Sequence, residues 1–522
     1  MGAVCSSNGN NRKMKTSSIS ASGLTDDVGL TTRVRKIIDT KAQLQFKWDS
    51  STHIQTFRLE SPWVSSTANE NINNVYQVIE SIGEGYMGKV YKASLRGYPK
   101  MIYAIKSIKK SHLAEKNFRY FKSEVDILKE LDHPNIVKFY ECYQDKTNYN
   151  MVLEYCDGPD IVKLVEKTKG LPHNLIRKLF FQAVLAINYL HQIGICHRDI
   201  KLDNFLLTSK DIESCDIKLI DFGFAKKFNE GKLTSQVGTP WYVAPEILEK
   251  GIPYTQMCDN WSLGVMLYIM LFAEPPFKGR TNYEIFQNTK EKLIDFSDPK
   301  FNAISSDLVF LLDQLLKKDP SQRITLTDAL RSPWFNPVVV DIYSGWTAGE
   351  MKSLIKKLKV PRSYGAFRKE VIKIMVGIFF ECQEVKELTK SFYCCDYLNN
   401  GLITSLELEN LFDETKQKST PEDINNIIEN LQLKTFKAIT FSEFIAGTAG
   451  KSFFTEYNRL KLTFDRFDID RTGYITEDNI RGCFERFGYS LNDSTIRNFI
   501  QDFDINKEGA IDFEVFCKIM RK

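Results

Sequence analysis

Residues 197–204 read HRDIKLDN, and the meaning of this short run decides the fold of everything around it. A carboxylate (Asp199), an ammonium (Lys201) and a carboxamide (Asn204) lie within one loop-length stretch. A positioned aspartate can accept a proton from an attacking hydroxyl. Asparagine and aspartate oxygens suit Mg²⁺, which prefers octahedral oxygen ligands. Moving outward, DFG at 221–223 supplies Asp221 and APE at 244–246 supplies Glu246. Upstream, YAIK puts Lys106 on a strand-like run, and Glu124 falls in the helix-patterned stretch FRYFKSEVDILKELD. Further upstream, IGEGYMGKV sets Gly83, Gly85 and Gly88 between two strand-like runs. Such glycine spacing is weak evidence alone, because dinucleotide folds and ordinary hairpins share it. The order of all six motifs is what carries the argument.

In that order the motifs make residues 76–335 resemble a serine/threonine protein kinase domain along their whole length. The resemblance implies an ATP- and Mg²⁺-dependent enzyme that moves the γ-phosphoryl group to a protein hydroxyl. Such catalysis is mostly positioning and electrostatic stabilisation. The glycines let backbone approach the phosphates without a Cβ clash, with Ile82, Glu84, Val90 and Ala104 completing the nucleotide site. Lys106 is expected on the α- and β-phosphates, paired with Glu124. Asp221 and Asn204 are expected on Mg²⁺, and Asp199 on the substrate hydroxyl. Lys201 and GTPWYVAPE resemble the serine/threonine branch, with Thr239 near the substrate. By the same resemblance Leu153 backs the adenine pocket, Glu154 and Cys156 offer backbone groups to the base, and Asp160 meets the ribose. Pro159 in CDGPDI stiffens a turn that is usually looser. Asp259 and Arg323 resemble buried anchors, the second pairing with Glu246. Thr234 and Ser235 could be phosphorylated opposite Arg198, or could simply lie in a polar loop. The lysine and both key aspartates are retained, which argues against a non-catalytic scaffold.

The 522 residues carry 43% hydrophobic and 26% charged side chains, as expected of a soluble protein with several cores. A net charge of +4 gives no case for nucleic acid. The eleven cysteines lack metal-ligand spacing and follow no apolar leader, which reads as an intracellular chain with reduced thiols. No run is long and apolar enough to span a membrane. The first residues, MGAVCS, fit acylation at Gly2, with Cys5 as a palmitoylation candidate and Arg12, Lys13 and Lys15 nearby. The expected location is the cytoplasmic face of a membrane, with a cytosolic pool as well.

Four parts follow from texture: an extension expected to be mostly disordered (1–74), without apolar periodicity over residues 1 to about 45, the kinase-like domain (75–335), a basic junction (336–384) and four repeating helix–loop–helix units (385–522). The expected class is an α+β bilobal kinase domain followed by an all-α domain of four EF-hand-like units. In the junction Phe367, Val371, Ile374 and Ile378 recur at helical spacing, while Arg368, Lys369 and Lys373 lie off that stripe. A break is expected near VPRSYG, at Pro361. A basic helix between a kinase and EF-hand-like repeats resembles the calcium-dependent protein kinases of plants and protists. In that family the junction inhibits the kinase until the calcium domain takes hold of it.

The four loops depart from a full calcium-binding set. Loop 396–407 has Asp396, Asn400 and Glu407, but Leu398 stands at ligand position 3. Loop 432–443 has no acid at positions 1, 3 or 5 and Lys437 in place of glycine. Loop 468–479 has Asp468, Asp470, Thr472 and the carbonyl of Tyr474, but Asn479 at position 12. Loop 504–515 has Asp504, Asn506 and Glu508, with Val515 at position 12. The closing glutamate normally gives two oxygens and draws in the second helix. Calcium binding is therefore expected to be weak, with the fourth, third and first loops ranked equal. Two alternatives stay open from sequence: an active kinase with a calcium-insensitive docking module, and a scaffold without catalysis.

Overall fold

The computed structural model describes residues 72–84, 88–113, 115–228, 232–249, 251–360, 366–380, 382–431, 438–486, 492–501 and 509–521. Gly2, Cys5, Gly85, the break at Pro361 and the four residues after it, positions 1 to 6 of the second loop, and Asp504, Asn506 and Glu508 lie outside these residues. Among the described residues no helix is long and apolar enough to cross a membrane.

Strands β1 (Tyr76–Glu84), β2 (Gly88–Leu95), β3 (Tyr98–Lys109), β4 (Phe139–Gln144) and β5 (Asn148–Glu154) form one antiparallel sheet in the order β1-β2-β3-β5-β4. Its register sorts the side chains by face, because alternate residues along a strand point oppositely and directly paired residues point together. Val90 pairs with Lys106, Ala104 with Leu153, and Lys106 with Met151. These residues therefore share one face. Ile105 pairs with Val152, which pairs with Glu141, so Tyr103, Glu141 and Tyr143 share the other. Helix α1 (Glu115–Glu130) follows β3 and carries Glu124.

The second lobe is helical. Helix α2 (His173–Gln192) is buried except at its ends and on a face carrying Arg177, Lys178 and Gln182, and helix α3 (Met257–Phe272) is buried along almost its whole length, as expected of a central apolar helix. Short strands Phe205–Leu207 and Ile217–Leu219 pair beneath the cleft.

Helix α4 (Ala366–Ile378) lies in the junction. Phe367, Val371, Ile374 and Ile378 are buried, as the stripe requires, but so are Ile372, Met375, Val376 and Arg368. Burial therefore extends beyond the apolar stripe to Arg368, one of the basic residues that lie off it. Lys373 pairs with Glu370 at 2.8 Å, and α4 packs on helices Phe441–Thr448 and Tyr457–Phe467 of the repeat domain. Its apolar residues reach well beyond one stripe, while Glu370 and Lys373 keep a polar sector.

The four repeats form two pairs. Ile403 pairs with Ile439 and Ile475 with Ile511 across short antiparallel ladders. These are the position-8 residues of the four loops, all buried. The apolar residue at that position is thus kept by the pairing, whatever happens to the ligand positions around it.

Candidate active site and regulatory contacts

Lys106 is brought to Glu124 of α1 at 2.5 Å and to Asp221 at 3.8 Å. Burial works against the lysine's charge, yet Glu124 and Asp221 outweigh it and hold Lys106 above the ordinary lysine value. Burial likewise works to raise Asp221, but Lys106 and the Gly223 amide, which donates to Oδ1 at 3.0 Å, keep it below the usual carboxylate range. The cleft is therefore a pair of fixed opposite charges beneath the face that carries Val90, Ala104 and Leu153.

Across the cleft, Asp199 accepts from Lys201 Nζ (2.8 Å), Thr239 Oγ1 (2.9 Å) and Asn204 Nδ2 (3.2 Å). Lys201 also donates to Thr239 Oγ1 (3.0 Å), and Asn204 Nδ2 to the Asp199 carbonyl (2.7 Å). With its amide nitrogen committed in this way, Asn204 has its carbonyl oxygen to offer a cation. Asp221 and Asn204 together form an oxygen donor set that fits Mg²⁺.

This loop is set by Asp259 at the start of α3. Its carboxylate accepts from the backbone of His197 and Arg198, each at 2.8 Å, and lies 2.9 Å from His191 Nε2. Burial would raise the Asp259 pKa, but His191 and these amides hold it below the ordinary value. The turn needs Arg198 at φ 68, a left-handed conformation that these bonds secure. Arg323 pairs with Glu246 through both guanidinium nitrogens, at 2.8 and 3.1 Å.

Other sequence-derived residues fall less simply. Glu84 pairs with Lys89 at 3.6 Å. Ile82 is 44% exposed at the mouth of the site. Glu154 uses its N–H on the Lys138 carbonyl (2.9 Å) and buries its carboxylate against Lys218 (2.6 Å). Cys156 is half-buried. Asp160 caps helix Ile161–Thr168, accepting from Val162 N (2.9 Å) and Lys163 N (3.2 Å). Arg198 turns to the Phe224 carbonyl (2.7 Å) and to Tyr254, whose hydroxyl donates to the Ser235 carbonyl. Arg198 is thus linked through Tyr254 to the backbone of Ser235.

The sequence reading missed a buried cluster between the repeat domain and the sheet. Arg466 lies 3.0 Å from Glu141 Oε1 and donates to the Tyr76 hydroxyl (2.8 Å), which donates to Glu141 Oε2 (3.0 Å). Tyr143 also donates to Glu141 (2.5 Å), and Arg486 donates to the Arg466 carbonyl (3.1 Å). Because Glu141 and Tyr143 occupy the face opposite Lys106, these arginines pack behind the catalytic cleft and leave it open. Closer to the hinge, Ser442 donates to Asp132 from N (2.9 Å) and Oγ (2.6 Å). Phe380, just past α4, sits 4.4 Å beneath Lys218, the partner of Glu154. No local pattern announces such contacts, since Arg466 reads as one more helix charge.

In the third loop Thr472 Oγ1 lies within 3.3 Å of Asp468 Oδ1, Asp470 Oδ1 and the Tyr474 carbonyl. Partial burial and the adjacent Asp470 push Asp468 upward, as two like charges facing one point must. These oxygens fit a cation. Asn479 accepts from Thr476 N and Oγ1, both at 3.0 Å, so it keeps the capping role of position 12 without the second carboxylate oxygen. In the fourth loop Asp512, at position 9 like Thr476, caps the helix by accepting from Val515 N (2.7 Å). In the first loop Asp396, Asn400 and Glu407 are all buried.

Residues 76–335 match the model of a protein kinase domain, and residues 457–521 that of an EF-hand domain pair. The chain is 32% identical over 455 residues to calcium-dependent protein kinase 29 of Arabidopsis thaliana, covering 87% of this chain and 83% of that protein. It is 30% identical over 492 residues to calcium-dependent protein kinase 5 of Plasmodium falciparum, covering 92% and 83%. It is 30% identical over 462 residues to calcium-dependent protein kinase 3 of Plasmodium berghei, covering 86% and 81%.

Proposed function

The chain belongs to the calcium-dependent protein kinase family and is a serine/threonine protein kinase with a C-terminal EF-hand regulatory domain, and on that premise we propose specific roles for its residues and a weakened calcium response. Asp199 orients the substrate hydroxyl and takes its proton. Lys201 and Thr239 hold the Asp199 carboxylate at the acceptor side of the cleft. Lys106, steadied by Glu124, holds the α- and β-phosphates of ATP. Asp221 and Asn204 hold Mg²⁺, which when bound offsets charge on the transferring phosphoryl group. The observation that carries this reading is the meeting of Lys106 with both Glu124 (2.5 Å) and Asp221 (3.8 Å), facing an Asp199 held by three donors. Asp199→Asn should abolish phosphate transfer to a peptide while ATP affinity stays near normal, because the residue acts on the acceptor hydroxyl. Loss of ATP binding by a similar factor would overturn the assignment.

The calcium response is proposed to be weak and to rest on the third and fourth loops. In the third, Asp468, Asp470, Thr472 and the Tyr474 carbonyl supply oxygens, while Asn479 withholds the bidentate closure that drives opening. Junction helix α4, sequestered in the EF-hand domain, is proposed to be held away from the cleft in this arrangement and to inhibit when released. Acylation at Gly2 and Cys5, with residence at a membrane surface, is a further proposal supported by MGAVCS alone, and the mass of the N-terminal peptide from cells tests it.

A further inference from the structure

We propose that the first loop, residues 396–407, is a calcium-free docking element that seats the EF-hand domain on the catalytic domain. Sequence ranks the first, third and fourth loops equal as calcium sites, but geometry separates the first from the third. At ligand position 3 the first loop has Leu398, whose backbone N–H donates to Glu407 Oε1 at 3.2 Å. Glu407 Oε2 accepts from Thr404 N (2.9 Å) and Thr404 Oγ1 (3.2 Å). A calcium loop gives both oxygens of its position-12 carboxylate to the ion. Here both are taken by the chain, one of them by the residue that has lost its own ligand atom. Asp396 likewise accepts from Asn400 N (2.9 Å) and Gly401 N (2.8 Å), and Asn400 Oδ1 from Leu402 N (3.0 Å).

What covers the loop is the catalytic domain. Gly401 has φ +75, and a Cβ there would lie 2.6 Å from the Tyr189 ring and 2.9 Å from the His133 ring. Asn188 donates to the Asn399 carbonyl (2.7 Å), and Tyr393 donates to Asn135 Oδ1 (2.8 Å). Asp396 and Glu407 are each 1% exposed. The third loop is an internal control. Asp468 receives the same two backbone bonds, from Thr472 N and Gly473 N at 2.9 Å each. Yet Asp470 stands at position 3, and a Cβ on Gly473 would meet nothing within 4 Å. One loop shape thus serves as a solvent-facing ligand set in one copy and as a plug in the other.

The plug bears on a sensitive place. His133 and Asn135 follow directly on α1, whose Glu124 pairs with Lys106, and Asp132 beside them is held by Ser442 of the second unit. Docking through this loop fixes the end of α1 without calcium.

The experiment uses the full-length protein, with calcium and a chelator as the two conditions. Hydrogen exchange at residues 131–137 and 185–192 should be the same in both for the wild-type chain. Gly401→Ala should speed exchange there by about tenfold in either condition, with α3 unchanged. Tyr393→Phe, a milder variant that keeps the fold, should speed the same segments by less. By calorimetric titration Glu407→Gln should bind as many calcium ions as the wild type. The proposal is overturned if chelator alone accelerates exchange in the wild type, if neither variant changes it, or if Glu407→Gln loses a calcium ion. The idea rests on the kinase reading only for the identity of the docking face. None of its readouts is phosphate transfer, so its failure would leave that reading standing.

Discussion

His133 shows how one side chain can carry a condition for the whole assembly. It is buried between Tyr189 and Gly401, and its Nδ1 accepts from Asn135 N at 3.0 Å. Burial, chiefly, lowers its pKa from 6.5 to about 3. A base whose folded value is depressed stabilises the fold fully above its unfolded value, and that stability is lost as pH falls through the window from 6.5 toward 3. Each unit is worth about 1.4 kcal/mol, so the loss should be easily measured. The expected outcome is a thermal midpoint that falls from pH 6.5 to pH 4 more steeply in the wild type than in His133→Gln. Parallel profiles would show that the ring protonates freely in the folded chain. Asp199, Lys201, Asn204 and Asp221 were legible in the sequence because each sits in a contiguous motif. Asp160 carries a second role that the pattern did not announce: the helix starting at Ile161 uses its carboxylate as a cap. A short-range bond to two free amides is available to such a residue before any ligand arrives.

Among the elements, the degenerate loops separate two jobs that position 12 normally combines. Thr476 caps its helix by accepting from Asn479 N while Asn479 Oδ1 returns the bond, whereas in the fourth loop Asp512 caps and Val515 has no side-chain oxygen to return it. Neither supplies the bidentate oxygens of a glutamate. Asn479→Glu should therefore keep the cap and add a ligand. We expect calcium affinity at the third loop to rise by about tenfold or more, read by titration of the full-length protein. No change would mean that the loop oxygens do not act as a set. Helix α4 teaches a different lesson. Its stripe was visible at helical spacing, but its burial on the remaining sides was not, because a 3.6-residue period reports one face and says nothing of a second partner. Arg368 accordingly reads as a surface charge in the sequence and is 9% exposed in the structure.

For the whole molecule, the catalytic and EF-hand domains share a buried ionic core around Glu141. Removing one partner of such a pair leaves a charge without compensation, at a cost of about 3–5 kcal/mol. Arg466→Met should lower the thermal midpoint of the full-length protein clearly, and Arg466→Met with Glu141→Gln should recover part of the loss. Equal loss in the single and double variants would show that packing, not charge, holds this interface. The bilobal domain and its all-helical companion were legible from motif order and repeat texture, whereas their mutual contacts were not. Tyr76 and Arg466 stand 390 positions apart, and pattern reading works over a few turns of chain. That separation also has a temporal side. A ribosome adding 5–20 residues each second needs about 20–80 s to travel from the first of these residues to the second. During that interval the nascent N-terminal sheet waits with its glutamate and tyrosines turned to water, and the outer wall of the enzyme is finished only as synthesis ends.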